Sequence, residues 1–468
     1  MTIDSTWIAS FKEESPEAFT KHMPFQPKAV FCDGQIRLMR GYTQNLITWE
    51  DYIYQQFLSH VTKFYRTIGA STVILAFDDY AHVPEAKAMT QIKRRRHIPP
   101  VEILEREPLP PVCPSGTRWD QCIANRTFKA KVISMVVQRL PEMLKLLPGQ
   151  TLIIDYKGHP VSYKLEEGKL ASEELVDLHP LGEADVKFTR YASMFKDLLV
   201  DSIDGDSVPI ALLYQEKCFR LMTQGTMDPK HLTDAPPRIC IYRITTKLDE
   251  DRAERPAKKS KTGTDSSSQT DKKVARCSNR TYEYVNIPML YLSLRNVFSQ
   301  SMGRAVLFSI YDPYLMCLLT ALIGLTGTDF TRHMPQLSGK SVFALLPNLI
   351  TSLGRCYDTT MNQLHVDLAV DALVAGIYAA KFGVHVTMSQ ACPNFSLKSV
   401  LNSLRTSRLS QRTKESFPTL GQIDCTVKNV NWLLLYWTQP ERVPCPVDPR
   451  FGFCRNEKGL VNYTDSKA

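Results

Sequence analysis

The sequence predicts an α/β fold, a parallel sheet flanked by helices, followed by a mostly helical C-terminal region. Two β-rich runs, Lys28-Ala-Val-Phe-Cys and Ser71-Thr-Val-Ile-Leu-Ala-Phe77, are separated by a stretch over 49–69. In that stretch Tyr52, Phe57, Val61 and Tyr65 recur at helical spacing. A strand, helix, strand order with short connections implies a parallel pair. A chain of 468 residues, 43% hydrophobic, can also bury a full core without disulfide or metal staples.

The elements follow in order. Residues 1–24 are polar and read as a helical lead-in. The first strand ends in Asp33-Gly34 and the second in Asp78-Asp79. Pro84 to Arg96 reads as a basic helix, closed by Pro99-Pro100, and prolines 108, 110, 111 and 114 mark an irregular excursion. Helical pattern resumes from Asp120 to about Leu147. Thr151–Asp155 and Pro160–Lys164 form a hairpin around Lys157-Gly158. A helix is expected over Glu183–Leu198, with strands at Val208–Tyr214 and Arg238–Ile244. Residues 249–279 are rich in Lys, Ser, Thr and Asp and nearly lack large apolar side chains, the composition of a disordered insertion. Helices are expected at Tyr282–Phe298, Asp312–Leu325 and Met361–Phe382. The organisation is therefore a lead-in (1–24), a core in two parts (25–248 and 280–345) around a basic insertion (249–279), and a helical region (346–468).

Composition excludes several classes. The 12 Cys are scattered with no C-x-x-C pair, against a zinc ribbon or a secreted disulfide scaffold. The opening residues MTIDSTWIASFKEES lack an apolar signal core. The most apolar run, Leu315–Leu325, falls well short of the roughly 20 residues of a membrane helix. A soluble, intracellular, reduced protein with no membrane partner is expected. There is no Gly-rich phosphate loop, G-x-S-x-G elbow or H-E-x-x-H. The net charge is +9, with basic clusters at Lys93–Arg96 and Lys258–Lys261. The latter reads as a nuclear localisation signal, a phosphate tether or a solvated linker.

Acidic residues recur where strands or helices end: Asp33, Asp78, Glu183 with Asp185, Asp204 with Asp206, and Asp329. Ligands of parallel α/β sheets bind at the carboxyl ends of the strands, where such residues can converge. A carboxylate cluster there calls for hard cations, Mg²⁺ or Mn²⁺. Two such ions activate water and stabilise the leaving oxygen of a phosphodiester. Each acid taken alone also reads as a helix N-cap or a turn residue. Lys87, Gln91, Arg94 and Arg95 share one face of the basic helix, suited either to a phosphate or to solvent. Trp432, Tyr436 and Trp437 read as core, with base stacking as the other use.

In their order these motifs resemble the flap-endonuclease and 5′→3′ exoribonuclease superfamily, nucleases with a PIN-like core and seven carboxylates around two metals. Asp33 in Val-Phe-Cys-Asp-Gly resembles the first family aspartate and Asp78 in Ala-Phe-Asp-Asp the second. Gly182-Glu-Ala-Asp185 is similar to the family G-E-A-E, Asp204-Gly-Asp206 to its D-x-D, and Gly327-Thr-Asp-Phe330 to its last motif. The resemblance covers about residues 28–340. It departs at Asp185, where many members carry Glu, and at Met39, where a stacking aromatic or His is common. The spacing K-x3-Q-x2-R-R resembles the 5′-phosphate pocket of the exoribonuclease branch. Asp329-Phe-x-x-His333-x-Pro335-x-Leu337 and Pro114-Ser-Gly-Thr117 lean the same way. Pro335–Lys340 keeps the lysine of the flap-type duplex grip, Lys340, with Gln336 and Ser338 where that grip has glycines.

The resemblance implies a 5′ nuclease holding two Mg²⁺ or Mn²⁺ ions on Asp33, Asp78, Glu183, Asp185, Asp204, Asp206 and Asp329. Lys87 and Arg94 would neutralise the developing charge, and Lys87, Gln91, Arg94, Arg95 and Lys340 would bind phosphate. The partner is RNA or DNA with an accessible 5′ end. The alternative is a non-catalytic nucleic-acid-binding or scaffold protein on the same core.

Overall fold

The computed structural model describes residues 5–39, 48–79, 108–111, 113–114, 116–175, 181–202, 204–223, 237–246, 280–301, 314–328, 331, 339, 342, 356–361, 363–366, 368–369, 420–439, 448–455 and 461–463. The lead-in is helix α1 (Ser5–Glu14), then β1 (Phe19–Thr20). The strand β2 (Ala29–Asp33) passes straight into α2 (Gly34–Met39). A helical run over 49–68 (α3) follows, in which Trp49–Ile53 and Ser59–Lys63 are α-helical and Tyr54–Leu58 and Phe64–Ile68 are π turns. Thr48 caps its start by accepting from the Asp51 amide, and Gly69 ends it at φ 72°, a left-handed conformation suited to glycine. Next come β3 (Thr72–Ala76), α4 (Gly116–Ala124), α5 (Arg126–Met143), and the meander β4 (Thr151–Tyr156), β5 (His159–Glu166) and β6 (Lys169–Glu174).

The remaining elements are α6 (Ala184–Met194), β7 (Asp197–Asp201), α7 (Ser207–Thr223), β8 (Arg238–Thr246), β9 (Arg280–Asn286), α8 (Ile287–Ser301) and α9 (Leu315–Leu325). They are followed by β10 (Tyr357–Asp358), β11 (Gln363–Leu364), α10 (Leu420–Thr438), β12 (Phe453–Arg455) and β13 (Val461–Tyr463).

Nine strands form one mixed sheet in the order β1-β9-β8-β7-β2-β3-β4-β5-β6. Its centre, β8-β7-β2-β3-β4, is parallel, and antiparallel strands extend it at both edges. The central strands are apolar at consecutive positions because both faces are covered. Ala29, Phe31, Ile74, Ile153, Leu198, Val200 and Ile241 pack with α1 and α6–α10. Val30, Cys32, Val73, Leu75, Leu152 and Leu199 pack with α2–α5 on the opposite face. The result is a helix–sheet–helix sandwich. Trp432, Tyr436 and Trp437 on α10 are buried in the first of these cores, so they pack and do not present stacking surfaces.

Several boundaries differ from the sequence expectations. The helix expected over Glu183–Leu198 ends at Met194, and Asp197–Asp201 is the strand beside β2. Val208–Tyr214, expected as a strand, lies inside α7, since a short apolar run has no period that separates buried helix from buried strand. Tyr282 lies on β9, whose end at Asn286 begins α8 directly. The C-terminal region, expected to be mostly helical, contains four short strands besides α10 among its described residues, and Gln363–Leu364 within the expected 361–382 helix is one of them. The basic helix 84–96 and the insertion 249–279 lie outside the described residues. Among the described residues, no helix is long and apolar enough to cross a membrane.

Candidate functional site

The chain lays β2, β3 and β4 side by side, then returns to the other side of β2 to place β7 and β8. The direction of winding reverses between β2 and β7. At such a reversal the loops leave the sheet on opposite sides and open a crevice at the carboxyl ends of the strands. Asp33 is the last residue of β2 and Asp201 the last of β7. The acidic motifs are therefore carried to the place where a parallel sheet opens.

Asp33 is buried, and one of its carboxylate oxygens accepts the Gln35 amide at 2.8 Å, opening α2. Gly34 is required by close approach: a Cβ there would lie 2.6 Å from the Phe77 ring and 2.8 Å from the Ala76 carbonyl. The Asp-Gly pair thus fits β2 tightly against the end of β3. Asp78, just past β3, accepts the Ala184 amide at 3.0 Å, and the Asp79 amide donates to the Gly182 carbonyl at 2.6 Å. These two bonds tie the end of β3 to the start of α6. Glu183 is the buried N-cap residue of α6 and Asp185 lies in its first turn, where the helix dipole favours negative charge. Asp204 and Asp206 form a compact turn before α7. The Asp206 amide donates to Asp204 at 3.2 Å, the Asp204 amide to Ser202 Oγ at 3.2 Å, and Ser207 Oγ to Ser202 Oγ at 2.8 Å.

Six of the seven expected acids thus stand at two strand ends and two helix starts along one edge of the sheet. Asp329 lies outside the described residues, as do Lys87, Gln91, Arg94, Arg95, His333 and Lys340. Met39 ends α2 and is exposed. Asp33 and Asp78 also serve as backbone acceptors at the starts of α2 and α6, so the helix-start role open to each acid is real for these two. Among the described residues, no three His, Cys, Asp or Glu side chains are grouped so as to hold a metal ion. Carboxylate oxygens are hard donors of the kind that Mg²⁺, Mn²⁺ and Ca²⁺ favour.

Two further acids of the parallel strands, which sequence reasoning did not single out, are locked by cations. Asp155 on β4 and Lys187 on α6 are both fully buried and bond at 2.8 Å. Tyr191 donates to the second Asp155 oxygen at 2.9 Å, and Arg190 lies 3.5 Å from it. Lys187 also donates to the Phe77 carbonyl at 2.7 Å, so one ammonium joins β3, β4 and α6 immediately before Asp78. On the opposite face, Arg37 of α2 pairs with Asp201, and Cys32 Sγ lies 3.6 Å from the same carboxylate. Burial, and then the Asp201 charge, push the Cys32 thiol far above its ordinary value. No local sequence pattern marks these partnerships. The nine cysteines among the described residues are free thiols, eight of them buried.

No protein-family model matches the chain, and no curated protein matches it at a significant level.

Proposed function

We propose that this chain is a Mg²⁺- or Mn²⁺-dependent 5′ nuclease with a PIN-like core, hydrolysing phosphodiester bonds at or near the 5′ end of RNA or DNA. The observation that carries the reading is the placement of Asp33, Asp78, Glu183, Asp185, Asp204 and Asp206 along the edge where the winding of the sheet reverses. In this reading Asp78, Glu183, Asp185 and Asp204 hold the ions, and Asp33, Asp206 and Asp329 complete the set. Two divalent ions, when bound, supply charge neutralisation and activation of water. The protein's own part is positioning. The hydrogen bond that the Ala184 amide donates to Asp78 fixes one carboxylate against the start of α6, and the one that the Asp206 amide donates to Asp204 fixes another before α7. Lys87 and Arg94 would carry the scissile phosphate, with Gln91, Arg95 and Lys340 along the strand. A nuclear address in Lys258–Lys261 belongs to the same reading. Replacing these lysines in a tagged chain would then shift it to the cytoplasm.

A second reading is a nucleic-acid-binding or scaffold protein that does not cleave. Digestion of 5′-phosphorylated single-stranded RNA, single-stranded DNA and 5′-flap DNA with Mg²⁺, beside Asp204→Ala, separates the two. Progressive shortening of RNA marks an exoribonuclease, and cutting at the flap junction marks a flap endonuclease. Equal inertness of wild type and variant on all three substrates would sink the nuclease reading and leave binding.

A further inference from the structure

On the sheet face opposite Asp33, strands β8 and β9 carry a row of three tyrosines. Tyr242 and Tyr284 are directly opposed cross-strand neighbours, with ring centroids 5.2 Å apart. Tyr282 lies diagonally from Tyr242, its ring offset-stacked at 5.3 Å with an interplanar angle of 4°. Cross-strand aromatic pairs stabilise a sheet, which accounts for the half-buried Tyr242 and Tyr284. It does not account for Tyr282, which is 49% exposed. α8 packs on the other face of these strands, where Val285, Leu290 and Leu294 share one core. The row thus ends in a flat aromatic ring open to solvent, already aligned with a second ring beneath it.

Register places this row relative to the acidic edge. Tyr242 is level with Asp201, and Asp201 with Cys32, so Arg243 is level with Asp33. Tyr282 pairs with Ile244 and therefore sits one residue beyond that level, past the rim formed by the ends of the central strands, while the β8–β9 pair runs on to Thr246 and Arg280. β8 is two strands from β2, about 10 Å at the usual spacing of neighbouring strands. The chain carries a net charge of +9.

From this placement we infer that Tyr242, Tyr282 and Tyr284 form a stacking platform for unpaired bases of a single-stranded nucleic acid whose backbone crosses the rim toward the acidic edge. The platform rests on the nucleic-acid part of the function proposed above but not on cleavage. Stacking on an aromatic ring is indifferent to base identity, because every base offers a π face. The platform therefore holds a strand without reading its sequence.

The test is fluorescence anisotropy of a labelled oligothymidylate of about 15 nucleotides, with every variant built on cleavage-deficient Asp204→Ala. Tyr282→Ala should weaken binding about ten-fold and Tyr282→Phe should leave it unchanged, since the ring is what stacks. An abasic strand of equal length keeps the phosphates and lacks the bases. It should bind weakly, and equally to the parent and to Tyr282→Ala, which also shows that the variant is folded. Unchanged oligothymidylate affinity in Tyr282→Ala overturns the platform, as does an equal loss on the abasic strand. If no variant binds either strand, the platform falls together with the nucleic-acid reading. If binding depends on the Tyr282 ring while wild type cleaves nothing, the platform stands and the nuclease reading falls.

Discussion

Asp33 and Asp155 occupy one row of the sheet, on one face, separated by Ala76 on the strand between them. Asp155 is enclosed by Lys187, Arg190 and Tyr191, all from α6. Asp33 accepts a backbone amide at the start of α2, and Asp78 accepts one at the start of α6. Two carboxylates in equivalent strand positions thus have different surroundings, because α6 begins beside β3 and carries its basic residues toward β4. Enclosure by fixed cations makes a carboxylate part of the frame. A backbone amide at a helix start orients the carboxylate that accepts it. The same contrast holds across the sheet, where Arg37 closes Asp201 and the Asp204–Asp206 turn follows only three residues later.

The sharpest way to break this comparison is to remove one acid of each kind. Asp155→Ala leaves the fully buried Lys187 ammonium without its carboxylate and should cost about 3–5 kcal/mol in urea unfolding. Asp204→Ala should stay within about 1 kcal/mol of wild type, yet lower Mg²⁺-dependent cleavage roughly 10²–10³-fold. Comparable destabilisation by both would erase the distinction.

Glu216 sharpens the comparison from another side, since it is a buried carboxylate that caps a helix. It lies on α7 and accepts the Met316 amide at 2.7 Å and the Cys317 amide at 3.2 Å at the start of α9. Burial pushes its carboxyl up to about 7 from 4.5, outweighing those bonds and the nearby Arg220. Between these values the folded chain holds a proton that the unfolded chain has lost. Stability from this group therefore falls as pH rises through the window, by about 3 kcal/mol in total, and levels off above it. Urea midpoints at about pH 5 and about pH 8 should show this slope in wild type and lose it in Glu216→Gln. An equal slope in both would assign the pH dependence to other groups.

At the small end stands the Glu50–Arg139 pair, which joins α3 to α5 with both side chains about half exposed. Glu50→Gln should change stability by less than about 0.5 kcal/mol, because water and salt screen such a pair. A thermal melt at low and high salt checks this. A loss approaching that of Asp155→Ala would show that enclosure is not what separates frame acids from the rest.

How much of this was legible beforehand depended on the range of the interaction. The strands ending at Asp33 and near Asp78, the hairpin through Lys157-Gly158 and the helical run from Trp49 to Gly69 were readable, because alternation, apolar runs and turn residues act over a few positions. The stretch from Phe195 to Tyr214 was not. Leu198-Leu-Val200 and Ile210-Ala-Leu-Leu213 are equally apolar and short, and only pairing with β2 makes the first a strand. The Tyr282–Tyr284 alternation was a usable signal for β9, hidden by the apolar helix that follows without a break.

By itself the sequence determined which residue types stand at element ends: six described acids at strand ends or helix starts, glycine where β2 meets β3, and an apolar core large enough to cover both faces of a sheet. The tertiary structure decided which acids face fixed cations and which accept backbone amides. That choice depends on Lys187 meeting Asp155 from 32 residues away and Arg37 meeting Asp201 across 164. Such pairings arise from the order in which strands enter the sheet, and no local period in the chain encodes that order.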